Sequence, residues 1–157
     1  MKPETKTLLK FIAIPLAVGG LSALLSGGGM ETFERVVKSP FSPPGWLFPV
    51  VWTILYTLMG IASYLIYTSE TDDSQKMQAL TVYAYQLLVN FLWPIFFFDF
   101  GWYLFSFFWL VLLWLLVLWM ILLFAKISKP ASYLMIPYLL WLTFAGYLNL
   151  GIWILNR

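Results

Sequence analysis

The sequence predicts an all-α integral membrane protein, a bundle of five transmembrane helices. Composition is the first reason: 62% of the residues are hydrophobic and 10% are charged, whereas a soluble domain is about a quarter charged. The second reason is that the charges leave uncharged intervals between residues 10 and 31, 38 and 70, 76 and 99, 99 and 126, and 129 and 157. Each interval holds the roughly 20 apolar residues that cross a bilayer core, and a backbone in hydrocarbon satisfies its own amides by forming a helix.

We predict helices over residues 7–26, 44–67, 77–98, 101–125 and 130–155, within a single domain over residues 1–157. The first apolar segment also resembles a signal peptide. Because its tail has no clear A-x-A cleavage site, we interpret it as the first transmembrane helix. Asp99 precedes the fourth segment, where its carboxylate is expected to cap the amide groups of the first helical turn.

The basic residues predict the orientation of the bundle. Six of them fall on the amino-terminal side of the membrane and three on the other side. The two groups are Lys2, Lys6, Lys10, Lys76, Lys126 and Lys129, against Arg35, Lys38 and Arg157. The positive-inside rule therefore places the amino terminus in the cytoplasm.

Composition also narrows the chemistry. The chain has no Cys and no His, which excludes thiolate nucleophiles, disulfides and the usual thiolate or imidazole metal ligands. The net charge of +2 is spread without a basic run, so no nucleic-acid partner is expected. We predict no metal site and no required cofactor.

The first connection, roughly 17 residues from Gly27 to Pro43, is longer than most connections between bundled helices. It opens with a predicted flexible hinge of three glycines and closes with an aromatic, proline-rich stretch that favours polyproline geometry. A surface linker and a lid over a central pocket are the two interpretations, and this combination favours the lid. The expected lid residues are Pro40, Phe41, Pro43 and Pro44.

Polar and aromatic residues recur at three- and four-residue spacing on three predicted helices, so each set shares one helical face. Polar groups inside such apolar segments are expensive in lipid and are therefore functional-site hypotheses. The faces are Trp52, Tyr56, Gly60, Ser63 and Tyr67; Tyr83, Gln86, Asn90, Trp93 and Phe97; and Tyr138, Trp141, Ala145, Asn149 and Ile152. The fourth predicted helix lacks this pattern, and its leucines are interpreted as lipid-facing or packing residues.

Asn90 is the expected centre of the pocket. Pro94 has no amide hydrogen, so the backbone oxygen of Asn90 is predicted to lack its helical partner. The side-chain amide and a free carbonyl then lie in the same turn and must face protein, water or a ligand. Pro15 and Pro137 are expected to weaken the first and fifth helices similarly.

The nine tryptophans allow two interpretations. Most tryptophans in membrane proteins form belts at the two interfaces, and Trp46, Trp102 and Trp153 lie near predicted helix ends where a belt belongs. Trp52 and Trp141 instead share faces with polar residues, which favours a pocket role. A pocket rich in indole and phenol groups suits a large, flat, partly apolar ligand.

Three motifs carry a resemblance to a known family. Residues 38–60 read KSPFSPPGWLFPVVWTILYTLMG, residues 90–97 read NFLWPIFF, and residues 137–149 read PYLLWLTFAGYLN, followed by Ile152 and Trp153. Together they resemble the signature of the translocator protein family (TspO/MBR, peripheral benzodiazepine receptor), in order and over essentially the whole chain.

The resemblance implies a five-helix bundle, commonly a homodimer, that binds porphyrins and isoquinoline-type ligands beneath the first loop. It implies that Trp52 and Asn90 contact ligand, that Ala145 is a small pocket position, and that Trp52 and Trp141 are the candidate catalytic residues for light-dependent breakdown of protoporphyrin IX. Combined with the three faces, the candidate ligand-binding residues are Trp52, Tyr56, Asn90, Trp93, Tyr138, Trp141, Ala145 and Asn149.

Two departures from the family pattern stand out. Many members carry an acidic residue inside the fourth helix, whereas residues 105–109 here read FSFFW. The carboxyl-terminal cholesterol motif of animal members needs a tyrosine closer to an arginine than Tyr147 is to Arg157. Cholesterol binding by that route is therefore not expected, and a bacterial-type member in a bacterial cytoplasmic membrane is favoured.

The leading functional prediction is binding of a tetrapyrrole in an intramembrane pocket, for sensing or transport. The alternative is an enzyme that degrades protoporphyrin IX oxidatively in light. A small multidrug exporter is set aside because the spans hold no carboxylate of the kind those pumps use, and a retinal protein because it would need a buried lysine and seven helices.

Overall fold

The computed structural model describes residues 2–27 and 29–157, and most of these are helical. The helices are α1 (Pro3–Leu25), α2 (Gly29–Arg35), α3 (Leu47–Tyr67), α4 (Asp73–Pro94), α5 (Tyr103–Ile127), α6 (Lys129–Leu134) and α7 (Ile136–Asn156). Within the described residues, five helical stretches are long and apolar enough to cross a membrane. The predicted all-α membrane architecture with five spans is therefore confirmed.

Helix α1 starts earlier than the predicted residue 7. Pro3 occupies the first turn, where a missing amide hydrogen costs nothing, and Glu4 adds a negative charge near the positive end of the helix dipole. Helix α1 continues through Pro15, which is buried.

Helices α1 and α3 pack at unusually short range through Gly60. A Cβ atom at this position would lie 2.8 Å from the carbonyl oxygen of Phe11 and would also overlap the backbone of Ile12. Glycine at such a crossing lets two membrane helices bring their backbones together. Gly60 thus packs α3 on α1, although sequence analysis had placed it on a pocket face.

Helix α4 does not stop at Pro94 but runs into a π-helical turn, Ile95–Asp99. The amide of Phe100 donates to the carbonyl of Ile95, five residues earlier, at 3.1 Å. Short π-helical turns inside membrane or soluble helices occur frequently at functional sites.

The junction between α4 and α5 corrects the predicted start of the fourth span. Gly101 adopts φ +63°, which glycine tolerates and other residues disfavour, and α5 begins two residues later at Tyr103. The N-cap position of α5 is Trp102. The prediction that Asp99 caps this helix was therefore wrong, because Asp99 instead closes the π-helical turn.

The fifth span is interrupted at Met135, between α6 and α7. Pro137 lies in the first turn of α7, where proline fits, so the helix restarts just before it. The side chain of Ser128 caps α6 by accepting from the amide of Ala131 at 3.3 Å. The prediction of one continuous helix over residues 130–155 is corrected to two helices in line.

The predicted first connection contains a helix, α2, rather than irregular chain throughout. Its proposed glycine hinge falls partly outside the described residues, because Gly28 is not among them. Glu31 and Arg35 form an ion pair one turn apart on the exposed side of α2. Within the bundle, α1 packs along α3, while α4 and α7 both pack against α5. The two groups are joined because α1 and α3 contact α4 and α3 contacts α6.

Candidate ligand-binding cavity

A cavity of about 410 Å³ lies inside the bundle, in the half nearest to α2. This volume falls within the roughly 300–1,000 Å³ typical of small-molecule sites. Its wall is mostly apolar and aromatic. The lining residues are Gly19, Ser22, Ala23, Ser26, Phe33, Phe48, Pro49, Trp52, Tyr56, Asn90, Trp93, Pro94, Phe97, Phe98, Leu110, Leu113, Trp141, Ala145, Leu148, Asn149 and Ile152.

The three helical faces read from the sequence meet at this cavity, but only in part. Seven of the eight candidate ligand-binding residues belong to the wall, namely Trp52, Tyr56, Asn90, Trp93, Trp141, Ala145 and Asn149. The eighth, Tyr138, is fully buried behind the wall and bonds to Asn90. Two further positions of the face predicted on α3 do not belong to the wall. Ser63 is buried, and Tyr67 is 52% exposed and packs on Phe11.

Two indole side chains flank the cavity from α3 and α7. The ring of Trp52 lies 5.4 Å from Tyr56 and 6.2 Å from Tyr138, measured between centroids. The ring of Trp141 lies 5.8 Å from Phe48 in an edge-to-face arrangement. The buried Nε1 of Trp141 finds no hydrogen-bond partner among the described residues. This N–H is therefore a buried donor without a partner in a residue that lines the cavity.

A third tryptophan is held rigidly by its neighbours. Trp93 stacks on Phe97 at 4.9 Å and donates from Nε1 to Oδ1 of Asn149 at 3.1 Å. The Asn149 amide nitrogen in turn donates to the backbone carbonyl of Tyr103 at 2.8 Å. Asn149 therefore ties α4 and α7 to the start of α5 while its own side chain lines the cavity.

The deep end of the cavity is polar. The hydroxyl of Tyr56 donates to Oδ1 of Asn90 at 2.8 Å, and Nδ2 of Asn90 donates to the hydroxyl of Tyr138 at the same distance. All three residues are at most 8% exposed. These bonds satisfy polar groups that would otherwise be costly in an apolar interior.

The position of Tyr56 depends on Gly19 in α1. A Cβ atom added at Gly19 would overlap the ring of Tyr56, whereas one added at the neighbouring Gly20 would have no described atom within 4 Å. The missing side chain at Gly19 therefore makes room for the phenol ring that reaches Asn90.

A backbone carbonyl in the turn before Pro94 accepts a hydrogen bond from α1. The accepting residue is Phe91, and the predicted free carbonyl of its neighbour Asn90 stays a prediction. The hydroxyl of Ser22 donates to the carbonyl of Phe91 at 2.7 Å, which joins α1 to α4 beside the cavity.

The mouth of the cavity is covered by Phe33 of α2, which is 6% exposed and packs with Phe97 and Ile152. Phe33 also lies edge-to-face against Phe48 at 4.9 Å. The expected lid residues Pro40, Phe41, Pro43 and Pro44 lie outside the wall, and Phe41 is 75% exposed. A lid function of this loop stays a prediction, and the side chain that covers the cavity is Phe33.

Side chains bind the loop to both neighbouring elements. The backbone of Val37 is held by Asn156, whose Oδ1 accepts from its amide at 3.0 Å and whose Nδ2 donates to its carbonyl at 2.8 Å. The hydroxyls of Ser39 and Tyr147 lie 2.8 Å apart. Nζ of Lys38 donates to the carbonyl of Phe33 at 2.7 Å and lies over its ring.

The walls contributed by α1 and α5 were not predicted from the sequence. Gly19, Ser22, Ala23 and Ser26 of α1 recur at helical spacing, so a stripe of small residues was the signal. Leu110 and Leu113 of α5 are buried wall residues that sequence analysis treated only as packing or lipid-facing. The apolar sequence of α5 does not show which residues line a cavity and which pack or face lipid.

Comparison with known proteins shows the family of this chain. The family model described as the TspO/MBR family matches residues 11–154. This chain belongs to the TspO/MBR family. The resemblance read from the sequence motifs is thereby confirmed, and the matched stretch includes every residue that lines the cavity.

Curated TspO/MBR relatives are similar along nearly their whole length. The tryptophan-rich protein TspO of Chlorobaculum tepidum is 36% identical over 157 residues, covering 99% of each chain. The translocator protein of Ovis aries is 33% identical over 158 residues, covering 98% of this chain and 92% of its own. Protein CrtK of Rhodobacter capsulatus is 34% identical, covering 93% of this chain and 89% of its own.

Proposed function

We propose that this protein binds a porphyrin or a related flat tetrapyrrole in its intramembrane cavity and acts in tetrapyrrole sensing or transport. The observation that carries the proposal is the wall itself, where Trp52, Trp93 and Trp141 surround an apolar space beside Asn90. Indole rings present flat faces to a conjugated macrocycle, and such aromatic pairs gain about 0.5–1.5 kcal/mol beyond simple burial. Synthetic isoquinoline-type ligands have the same flat, mostly apolar character.

The polar groups of the wall support the same ligand class. A tetrapyrrole carries an apolar ring with polar groups at its edge, and the cavity combines apolar walls with a few placed polar atoms. Asn90 contributes its amide at the deep end, and Trp141 of the wall carries a buried N–H without a partner in the described chain. Few polar groups in a mostly apolar pocket fix orientation without a large desolvation penalty.

Family membership supports a membrane function and leaves its details as proposals. A relative named translocator protein is similar over almost the whole chain, which fits transport as well as sensing. We extend the proposal to a homodimer in a bacterial cytoplasmic membrane with the amino terminus in the cytoplasm, as the basic residues predict.

Titration of the detergent-solubilised protein with protoporphyrin IX, followed by tryptophan fluorescence, tests the binding proposal. We expect saturable quenching, and weaker binding in Trp52→Phe, Asn90→Ala and Trp141→Phe. The matched control is Trp119→Phe, which changes a tryptophan on the outside of α5 that is 48% exposed. Unchanged affinity in all three cavity variants would exclude this cavity as the site.

A second function, light-dependent oxidative degradation of protoporphyrin IX, is favoured by one observation. Trp52 and Trp141 line the same cavity, so a bound porphyrin would lie within reach of two oxidisable indoles. The porphyrin would act as photosensitiser, and molecular oxygen would be the oxidant. No acid–base pair is required for this chemistry.

Illumination of the protein–porphyrin mixture in air, followed by absorbance, tests the second function. We expect the porphyrin band to decay faster with wild-type protein than with the Trp52→Phe, Trp141→Phe double variant, and to persist without oxygen. Equal decay rates in wild type, double variant and protein-free buffer would rule it out.

A further inference from the structure

A continuous run of hydrogen bonds leads from the cavity wall into the bundle core. Tyr56 donates to Oδ1 of Asn90 at 2.8 Å, and Nδ2 of Asn90 donates to the hydroxyl of Tyr138 at 2.8 Å. Tyr138 donates to Oε1 of Gln86 at 2.6 Å, and Nε2 of Gln86 points to the sulfur of Met59 at 3.8 Å. The run crosses α3, α4 and α7.

Gln86 determines the direction of this run. The thioether of Met59 can only accept, so the Gln86 amide turns its nitrogen towards the sulfur and its oxygen towards Tyr138. That amide oxygen can only accept, so the Tyr138 hydroxyl uses its single hydrogen to donate to it. The Tyr138 oxygen is then an acceptor for whatever lies on its other side.

The orientation of the Asn90 amide follows from this sequence of donors and acceptors. Because Tyr138 must accept, Asn90 presents its nitrogen to Tyr138 and its oxygen to Tyr56. A reversed amide would place an oxygen against an oxygen that has no proton left to donate, which leaves a buried acceptor unpaired. Asn90 alone has no preference, since its two ends are similar in size.

We propose that Gln86 is a positioning residue that fixes which edge of the Asn90 amide faces the ligand. Gln86 is 0% exposed and lies behind the cavity wall, one helical turn before Asn90. This inference rests on the proposed function, because it concerns how the wall residue Asn90 meets a bound molecule. It adds a residue outside the cavity that controls ligand recognition within it.

The fixed direction also selects the chemistry of the ligand. The Tyr56 hydroxyl uses its hydrogen to donate to Oδ1 of Asn90. Nδ2 of Asn90 has a second hydrogen, and Trp141 has an N–H without a partner in the described chain. The unused donor capacity beside the cavity therefore belongs to two buried N–H groups, those of Asn90 and Trp141. A ligand whose polar edge carries acceptor oxygens, such as carboxylates or carbonyls, complements them.

Three variants of Gln86 test the positioning function. Gln86→Leu removes the acceptor of the Tyr138 hydroxyl. The hydroxyl can then donate to Asn90 instead, so the Asn90 amide can reverse. Gln86→Asn keeps a polar amide for folding but withdraws its oxygen by one methylene. Gln86→Glu, neutral when buried in an apolar interior, keeps a carbonyl oxygen for Tyr138 and a hydroxyl for the sulfur, and serves as the rescue.

The first measurement needs no ligand. The chain contains three asparagines, Asn90, Asn149 and Asn156, so protein labelled with nitrogen-15 at asparagine gives three side-chain amide pairs by NMR in detergent. The Gln86→Asn variant gives a fourth pair from the introduced side chain, which is assigned by its absence from the spectra of wild type and of the other variants. We expect the Asn90 pair to move in Gln86→Leu and Gln86→Asn and to return in Gln86→Glu, while the pairs of Asn149 and Asn156 stay in place. Unchanged resonances of the Asn90 amide pair in both Gln86→Leu and Gln86→Asn would overturn the proposal.

The second measurement is the affinity for protoporphyrin IX. We expect about a tenfold loss in Gln86→Leu and Gln86→Asn and wild-type affinity in Gln86→Glu, a difference of the size made by one buried hydrogen bond. Wild-type affinity in both of the first two variants would overturn the proposal. If wild-type protein fails to bind the porphyrin while the Asn90 resonances respond as expected, the positioning function stands and the proposed function fails.

Discussion

The two ends of the cavity are closed by hydrogen bonds of similar length in opposite surroundings. At the deep end, Tyr56, Asn90 and Tyr138 join three membrane helices and are at most 8% exposed. At the mouth, Asn156 holds the backbone of Val37 at 2.8 and 3.0 Å in an exposed position. The bonds at the deep end are sealed from solvent, whereas those at the mouth are exposed to it.

This difference changes what each bond contributes. A polar group stranded in an apolar interior loses its partner without gaining water, at about 1–3 kcal/mol. A group at the exposed mouth exchanges its protein partner for water, so loss of one such bond shifts stability by about 0.5 kcal/mol or less. The deep end should therefore set the stability of the bundle, and the mouth should set access to the cavity.

The largest effect is expected at Tyr138. Replacing Tyr138 with Phe removes the hydroxyl between Asn90 and Gln86 and leaves two buried polar groups without a partner. We expect a loss of about 1–3 kcal/mol in unfolding free energy, measured by denaturant titration in detergent micelles. The matched control is Tyr133→Phe in α6, where the tyrosine is 62% exposed.

Equal stability of these two phenylalanine variants would contradict the comparison. It would mean that the deep-end bonds contribute no more than exposed ones, as in membrane proteins whose interhelical bonds average only about 0.6 kcal/mol.

An intermediate effect is expected at Asn149, which lies between the two ends of the cavity. Asn149→Ala removes the acceptor of the Trp93 indole and the donor to the Tyr103 carbonyl. We expect a loss of about 1 kcal/mol in unfolding free energy and a shift of the tryptophan emission maximum. An unshifted emission spectrum together with unchanged stability would show that this bridge is not formed.

The smallest effect on stability is expected from the same substitution at the carboxyl-terminal end of α7. Asn156→Ala should change the unfolding free energy by about 0.5 kcal/mol or less, because water replaces the lost bonds. It should also release the loop, so that trypsin cleaves after Lys38 several-fold faster than in wild type. Leu155→Ala, at a neighbouring exposed position, is the control.

If Asn156→Ala destabilised the bundle as strongly as Asn149→Ala, the distinction between buried bonds and exposed bonds would be lost. If it left tryptic cleavage unchanged, the loop would be held by Ser39 and Lys38 instead of by Asn156.

Much of the cavity was predictable because side-chain direction follows sequence spacing within a helix. Asn90, Trp93, Trp141 and Asn149 were placed on inward faces from three- and four-residue repeats, and the structure brings them to one wall. Their partners were not predictable in this way. The bond from Tyr56 to Asn90 joins residues 34 positions apart, and spacing within one helix carries no information about such pairs.

The remaining features depend on tertiary packing or on local backbone geometry. Helix α2 is a short helix that is held by its contact through Phe33, and isolated helices of that length are marginal. The π-helical turn after Pro94 adds a backbone register that a constant 3.6-residue repeat cannot represent. Leu110 and Leu113 resemble other apolar residues of α5, so only the neighbouring helices show which of them face the cavity.

The close crossing at Gly60 has a consequence for the order of assembly in the membrane. Helices α1 and α3 are successive spans, and their backbones touch through Gly60 without needing any later helix. Inserted helices associate once close packing is available, so this pair can form while the rest of the chain is still being synthesised. The cavity also needs α7, the last span, for Trp141, Ala145 and Asn149. Ligand binding therefore reports completion of the whole chain, whereas the α1–α3 pair reports only its first half.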